Sequence, residues 1–195
     1  MNYAKLHKLN QKLYFSGKDV QSLLGVKPSS AKVICSRYVK TGFFVRLKNN
    51  FYVLNERWEN FDRRHHLAIA NILQVPSYIS FMTALSVYEL TTQVQRDFYE
   101  NACLRRSLKT SIQGVKFNYY KLKKEYYFDF IKKDGFFIAS AEKAFVDSAY
   151  LFSLGKYQLD ISSLDLGRLD KKRLKRIAAV FPLKTQVIVK QICKI

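Results

Sequence analysis

Glycine, cysteine and acidic residues are all scarce in this chain, and each shortage narrows what it can be. Seven glycines in 195 residues leave no Gly-rich loop to cradle a phosphate and no Gly-flanked elbow to expose a nucleophile. Cys35, Cys103 and Cys193 are odd in number, far apart and without a CxxC spacing, so neither a disulfide framework nor a thiolate zinc site is indicated. They are expected as small buried hydrophobes. His65 and His66 are adjacent in a helical pattern, and adjacent helical positions do not share a face; no metal and no cofactor is expected. No apolar run approaches the roughly 18–20 residues of a membrane span. Met1 to Lys5 lead into a polar helical pattern rather than the apolar core of a signal peptide, so a cytoplasmic protein without a membrane partner is expected. There is no internal repeat and no low-complexity segment, and an apolar content of 48% excludes disorder for most of the chain.

The shortage of acid is the most telling. Lys and Arg number 34 against 15 Asp and Glu, a formal charge of +19, which exceeds what solubility requires and points to a polyanionic partner. The excess is uneven. Residues 1–56 hold 10 basic and 2 acidic side chains, residues 57–150 hold 14 and 10, and residues 151–195 hold 10 and 3. The two ends are basic and the middle is nearly ordinary.

Within the first basic segment, Ser16 to Leu54 carry two short helical patterns followed directly by a hairpin pattern. Ser16 suits an N-cap, Val20, Leu23 and Leu24 repeat on one face, and Gly25 ends the first helix. Pro28-Ser29-Ser30 opens the second, which puts Ala31, Ile34, Cys35 and Tyr38 on the core side before Thr41-Gly42 stops it. Residues 43–47 and 51–54 read as strands joined by Lys48-Asn49-Asn50, where Asn tolerates the positive φ of a tight turn. Helix, helix and hairpin in this order predict a winged helix-turn-helix. Its outward face carries Ser29, Ser30, Lys32, Val33, Ser36, Arg37 and Lys40. Of these Ser29, Ser30, Lys32, Ser36, Arg37 and Lys40, together with Arg46, Lys48, Asn49 and Asn50 on the wing, are the candidate contacts to duplex DNA. A solvated basic face is the alternative reading of the same residues.

Behind residue 56 the pattern becomes mixed, so the expected fold class is α+β, with a DNA-binding domain at 1–56 and a second domain at 57–195. A helical pattern from Phe61 ends at Pro76, and a short one runs from Phe81 to about Leu90. Strand-like runs at 98–104, 115–122, 126–131 and 136–139 suggest a small antiparallel sheet. Ser140 then caps a helix expected to bury Ala141, Ala144, Phe145, Ala149 and Phe152 or their neighbours. Two further helices are predicted, over 170–181 and 185–193. Lys171, Lys172, Arg173, Lys175 and Arg176 crowd the first of these opposite its apolar stripe. They form either a solvated face or a second basic surface for nucleic acid or an acidic partner.

Three segments together resemble the AbiEi antitoxins of type IV toxin–antitoxin systems. Pro76-Ser77-Tyr78-Ile79-Ser80 with Thr83-Ala84-Leu85, and Ile138-Ala139-Ser140-Ala141-Glu142-Lys143-Ala144 with Asp147, are similar to that family's two signatures. The hairpin Gly42 to Leu54 is similar to its wing, with Asn50 where a turn glycine is usual. The resemblance covers nearly the whole chain. It implies an antitoxin that counteracts a nucleotidyltransferase toxin without requiring a stable complex. It also implies repression of its own operon through operator repeats, two molecules per operator, in defence against phage by abortive infection. A winged-helix regulator without a toxin partner stays open as the alternative. Glu142, Lys143 and Asp147 are chemically suited to catalysis, but an i, i+4 Lys–Asp pair beside an N-cap reads as helix-stabilising, and no enzyme is expected.

Overall fold

The computed structural model describes residues 3–93 and 95–194, and these form a mixed α+β protein. The chain divides into two compact units, Met1–Ile69 and Ala70–Ile195. Among the described residues no helix is long and apolar enough to cross a membrane.

Unit 1 begins with α1 (Tyr3–Leu6), a 3-10 turn over His7–Gln11 and the short strand β1 (Phe15–Ser16). Next come α2 (Gly17–Leu24), α3 (Pro28–Lys40), β2 (Phe44–Lys48), β3 (Phe51–Leu54) and α4 (Asn55–Glu59). The helix boundaries follow from local chemistry. Ser16 and Asp19 form a reciprocal capping box at the start of α2, and Gly25 closes it at a φ of 66°. Pro28 occupies the first turn of α3, where its missing N–H costs nothing. The hairpin turns at Asn50 with a φ of 60°, and β1 adds to the far side of β3 to give the antiparallel order β1-β3-β2. Leu6, Phe15, Val20, Cys35, Tyr38, Phe44 and Tyr52 share one core. Ile34, expected inside, is only half-buried.

The division between the units falls after Ile69, inside α5 (Arg63–Leu73). The polar run Asn55–Asn60 looks like a linker by composition, yet it folds into α4 and buries Trp58 against Phe61 and His66. A single large aromatic thus ties this polar stretch to the first unit.

Unit 2 continues with β4 (Ser77–Ile79), α6 (Phe81–Val87), β5 (Phe98–Cys103), β6 (Leu108–Ile112), β7 (Val115–Lys121), β8 (Phe130–Lys133) and β9 (Phe136–Ala139). The helices α7 (Ala141–Ser153), α8 (Lys171–Ala178) and α9 (Leu183–Cys193) follow. The sheet is six-stranded in the order β6-β7-β5-β4-β9-β8. It is mixed rather than antiparallel, because β5 runs parallel to β7 and β4 parallel to β9. The sequence pattern missed β4, which has three residues, and β6, whose Lys and Ser positions hide its alternation. α7 is buried on nearly every side from Glu142 to Leu151, while Phe152, expected in the core, is exposed and Ala141 is half-buried. All three cysteines are free and buried.

The capping box sets a stability prediction. Burial raises the Asp19 carboxyl, but hydrogen bonds from Lys12 and Ser16 outweigh it and bring the group from 3.8 down to about 2. A carboxyl depressed by folding stabilises above the unfolded value and loses that contribution as pH falls, here between about 4 and 2. Asp19→Asn is expected to flatten thermal stability across that window. Ser16→Ala is expected to cost about 0.5–2 kcal/mol at neutral pH, read by urea unfolding.

Candidate nucleic-acid interface

The amphipathic spacing of α3 turns Ala31, Cys35 and Tyr38 inward. It leaves Ser29, Ser30, Lys32, Val33, Arg37 and Lys40 exposed, with Ser36 half-buried. Lys32 and Ser36 line one wall of a groove of about 500 Å³. Gly17, Lys18 and Gln21 of α2 form another wall, and Arg46, Asn49, Asn50 and Tyr52 of the hairpin form the third. The structure therefore brings five sequence candidates together, Lys32, Ser36, Arg46, Asn49 and Asn50. Ser29, Ser30, Arg37 and Lys40 stand outside that lining on the free side of α3. Lys48 lies over the Phe51 ring, its Nζ 4.6 Å from the centroid, and Arg46 sits 5.8 Å over Tyr52. Both cations are splayed along the hairpin by aromatic faces.

Asn50 has a structural task. The Gly17 backbone N–H donates to Asn50 Oδ1 at 2.9 Å, which pins the hairpin tip to the start of α2. A Cβ on Gly17 would meet that oxygen at 2.8 Å, so the glycine is the residue that lets the two approach. Lys18 and Gln21 were not singled out by sequence. Their only signal there is that they fall between the apolar positions of α2. The charged lining is Lys18, Lys32 and Arg46, and no carboxylate lines the groove among the described residues. The nearby Asp19 is turned to Lys12 and Ser16. Three cations in one concavity attract a polyanion and concentrate the field that draws it in.

The second basic cluster is divided by the structure. Lys171, Lys172, Lys175 and Arg176 are exposed on α8. Arg173 is not part of that face. Its Nη2 donates to Asp129 at 2.8 Å and its Nε lies 3.6 Å from Glu142, and the bond to Asp129 holds its guanidinium firmly protonated. Glu142 in turn accepts from the Asp170 backbone N–H at 3.1 Å. Arg173 and Glu142 thus fasten α8 to the start of α7, a role that equal spacing of cations along a helix does not reveal.

Tyr78, Ser80, Lys143 and Asp147 meet inside unit 2, all fully buried. Lys143 Nζ pairs with one Asp147 oxygen and donates to the Tyr78 hydroxyl at 2.8 Å. Tyr78 and Ser80 donate to the other Asp147 oxygen at 3.0 and 2.8 Å. Burial pushes the Asp147 carboxyl up and the Lys143 ammonium down, each opposed by the partner's charge. The rings of Tyr78, Phe128 and Phe181 surround the ammonium at 5.2–5.4 Å. All four side chains are sealed from solvent and hydrogen-bond to one another as one polar network.

Glu100 is the buried acid that sequence reading passed over, an acidic residue inside an aromatic strand. It borders a polar cavity of about 390 Å³ that Lys109, Tyr120, Lys156 and Tyr157 also line. Tyr157 donates to it at 2.9 Å, Tyr120 at 3.3 Å and Gln95 at 3.4 Å. Among the described residues no three His, Cys, Asp or Glu side chains gather to hold a metal ion. No protein-family model matches the chain, and no curated protein matches it in sequence.

Burial lifts the Glu100 carboxyl from 4.5 to about 7, against the opposing hydrogen bonds. The folded state therefore keeps a proton that the unfolded chain has lost, and stability falls as pH rises from about 4.5 to about 7 and then levels. Glu100→Gln, which keeps an acceptor for Tyr157, is expected to abolish that fall. It should gain stability on the order of 3 kcal/mol at pH 8, measured by denaturant unfolding across the pH range.

Proposed function

We propose that this protein binds duplex DNA through unit 1 as a winged helix, with α3 as the helix that enters the major groove and the β2–β3 hairpin as the wing. The observation that carries this reading is the groove shared by α2, α3 and the hairpin, whose charged lining is cationic throughout the described residues. Phosphates flanking the major groove are matched by Lys18, Lys32 and Arg46, and contacts of this kind fix register without reading sequence. Ser29, Ser30, Arg37 and Lys40 stand on the exposed side of the same helix, where base edges are read. Element order supports the reading, since helix, helix and hairpin follow one another within Gly17–Leu54.

The wider role we propose is that of an AbiEi-type antitoxin, which represses its own operon and counteracts a nucleotidyltransferase toxin. Its support is the resemblance of the segments at 76–85 and 138–147. Tyr78 and Ser80 from the first hydrogen-bond Asp147 from the second, with Lys143 between them. The two signatures thus form one packed feature of unit 2, as residues that define a shared fold do. Nothing in that network requires a stable complex with a toxin.

Two measurements test the proposal. In fluorescence anisotropy against the chain's own upstream DNA, Lys32→Ala with Arg46→Ala is expected to weaken operator and random duplexes alike. The salt slope should drop by roughly one for each phosphate that is no longer neutralised. Arg37→Ala should cost about 1–3 kcal/mol on the operator alone; equal weakening on both DNAs rejects base reading. Co-expression of the full chain with the product of the adjacent gene should restore growth. A chain that binds its operator but leaves growth inhibited is a regulator without the antitoxin role.

A further inference from the structure

Val33 is an apolar side chain exposed to 57% in the middle of α3. On a helix its surface neighbours are the residues three and four positions away, which here are Ser29, Ser30, Ser36 and Arg37. At 3.6 residues per turn Val33 points directly away from the Ala31–Cys35–Tyr38 stripe that packs into the core. It is therefore the centre of the outward face, an apolar spot ringed by hydroxyls and a guanidinium. A helix lying in a groove presents to the floor the residue farthest from its own core. The floor of the major groove displays donors, acceptors and a single apolar group, the C5 methyl of thymine. Valine forms no hydrogen bond to any base edge, so at this place it gains only from that methyl. Being β-branched, it holds one side-chain rotamer in a helix and loses little freedom on binding.

We propose that Val33 reads a thymine in the bound site through its C5 methyl, an inference that rests on α3 being the helix that enters the major groove. Arg37 lies four residues further along, about 6 Å in the helix axis, against about 3.4 Å per base pair. The thymine therefore falls within one or two base pairs of the position that Arg37 reads.

The test uses duplexes selected by the full-length protein from a random library, with each thymine replaced singly by deoxyuridine, which lacks only the methyl. Removing the methyl at one thymine per half-site is expected to weaken wild-type binding roughly fourfold, the worth of one apolar carbon taken out of water. Val33→Ala should bind the thymine and deoxyuridine duplexes equally, while Arg37→Ala should keep the thymine sensitivity. The alanine is a better helix former at an exposed position, and circular dichroism checks that the variant is folded. Val33→Ala that still distinguishes thymine from deoxyuridine overturns the proposal, as does a selected site without thymine near the Arg37 position. Should the wild-type protein select no sequence and bind all duplexes alike, the reading of α3 as a base-reading helix fails first and takes this inference with it.

Discussion

A lysine with no solvent exposure is the constraint around which unit 2 is organised. An unpaired ammonium in an apolar interior is prohibitively costly, so Lys143 needs a counter-charge and further acceptors, and each comes from a fixed place. Asp147 lies one turn along α7, Tyr78 and Ser80 come from β4 and its end, and Phe128 and Phe181 close the aromatic walls. These requirements set how α7 lies on the sheet and where the turn after α8 packs. Removing a single member would leave a buried charge or an orphaned carboxylate, a far larger loss than the pair itself contributes. The network is therefore best understood as specifying one arrangement of strands and helices.

Unit 1 uses a lighter device. The bond from the Gly17 N–H to Asn50 links the hairpin tip to the first turn of α2, and the same turn is held by the Ser16–Asp19 capping box. Three side chains, Asn50, Ser16 and Asp19, thereby hold two of the groove's three walls, the start of α2 and the hairpin tip. Because Asp19 is engaged with Ser16 and Lys12, this neighbouring acid is kept out of the groove's lining. Lys18, Lys32 and Arg46 are thereby left as the groove's charged lining.

Much of unit 1 was legible in the chain because its signals are local. Ser16, Gly25, Pro28 and Asn50 act through their own backbone or that of a near neighbour, and the structure has a cap, a left-handed stop, a helix start and a positive-φ turn at those positions. Composition showed residues 55–60 only as a polar stretch and could not show that Trp58 finds Phe61 and His66. The sheet of unit 2 was read as antiparallel for a similar reason. Alternation identifies a strand, but parallel pairing joins strands far apart in sequence, as Ile79 with Ile138, and leaves no turn between them to detect.

At the candidate sites the same division holds. The sequence by itself determined which residues α3 turns outward, since helical period alone separates Ser29, Val33 and Arg37 from Ala31, Cys35 and Tyr38. It also determined the Lys143–Asp147 pairing, a matter of i, i+4 spacing. Only the tertiary structure decided that this pair is sealed with Tyr78 and Ser80, that Arg173 leaves its basic helix for Asp129 and Glu142, and that Glu100 is held beside two tyrosines with its carboxyl lifted toward neutrality. Period and spacing are properties of one element, whereas burial and counter-charge depend on what a second element places opposite it.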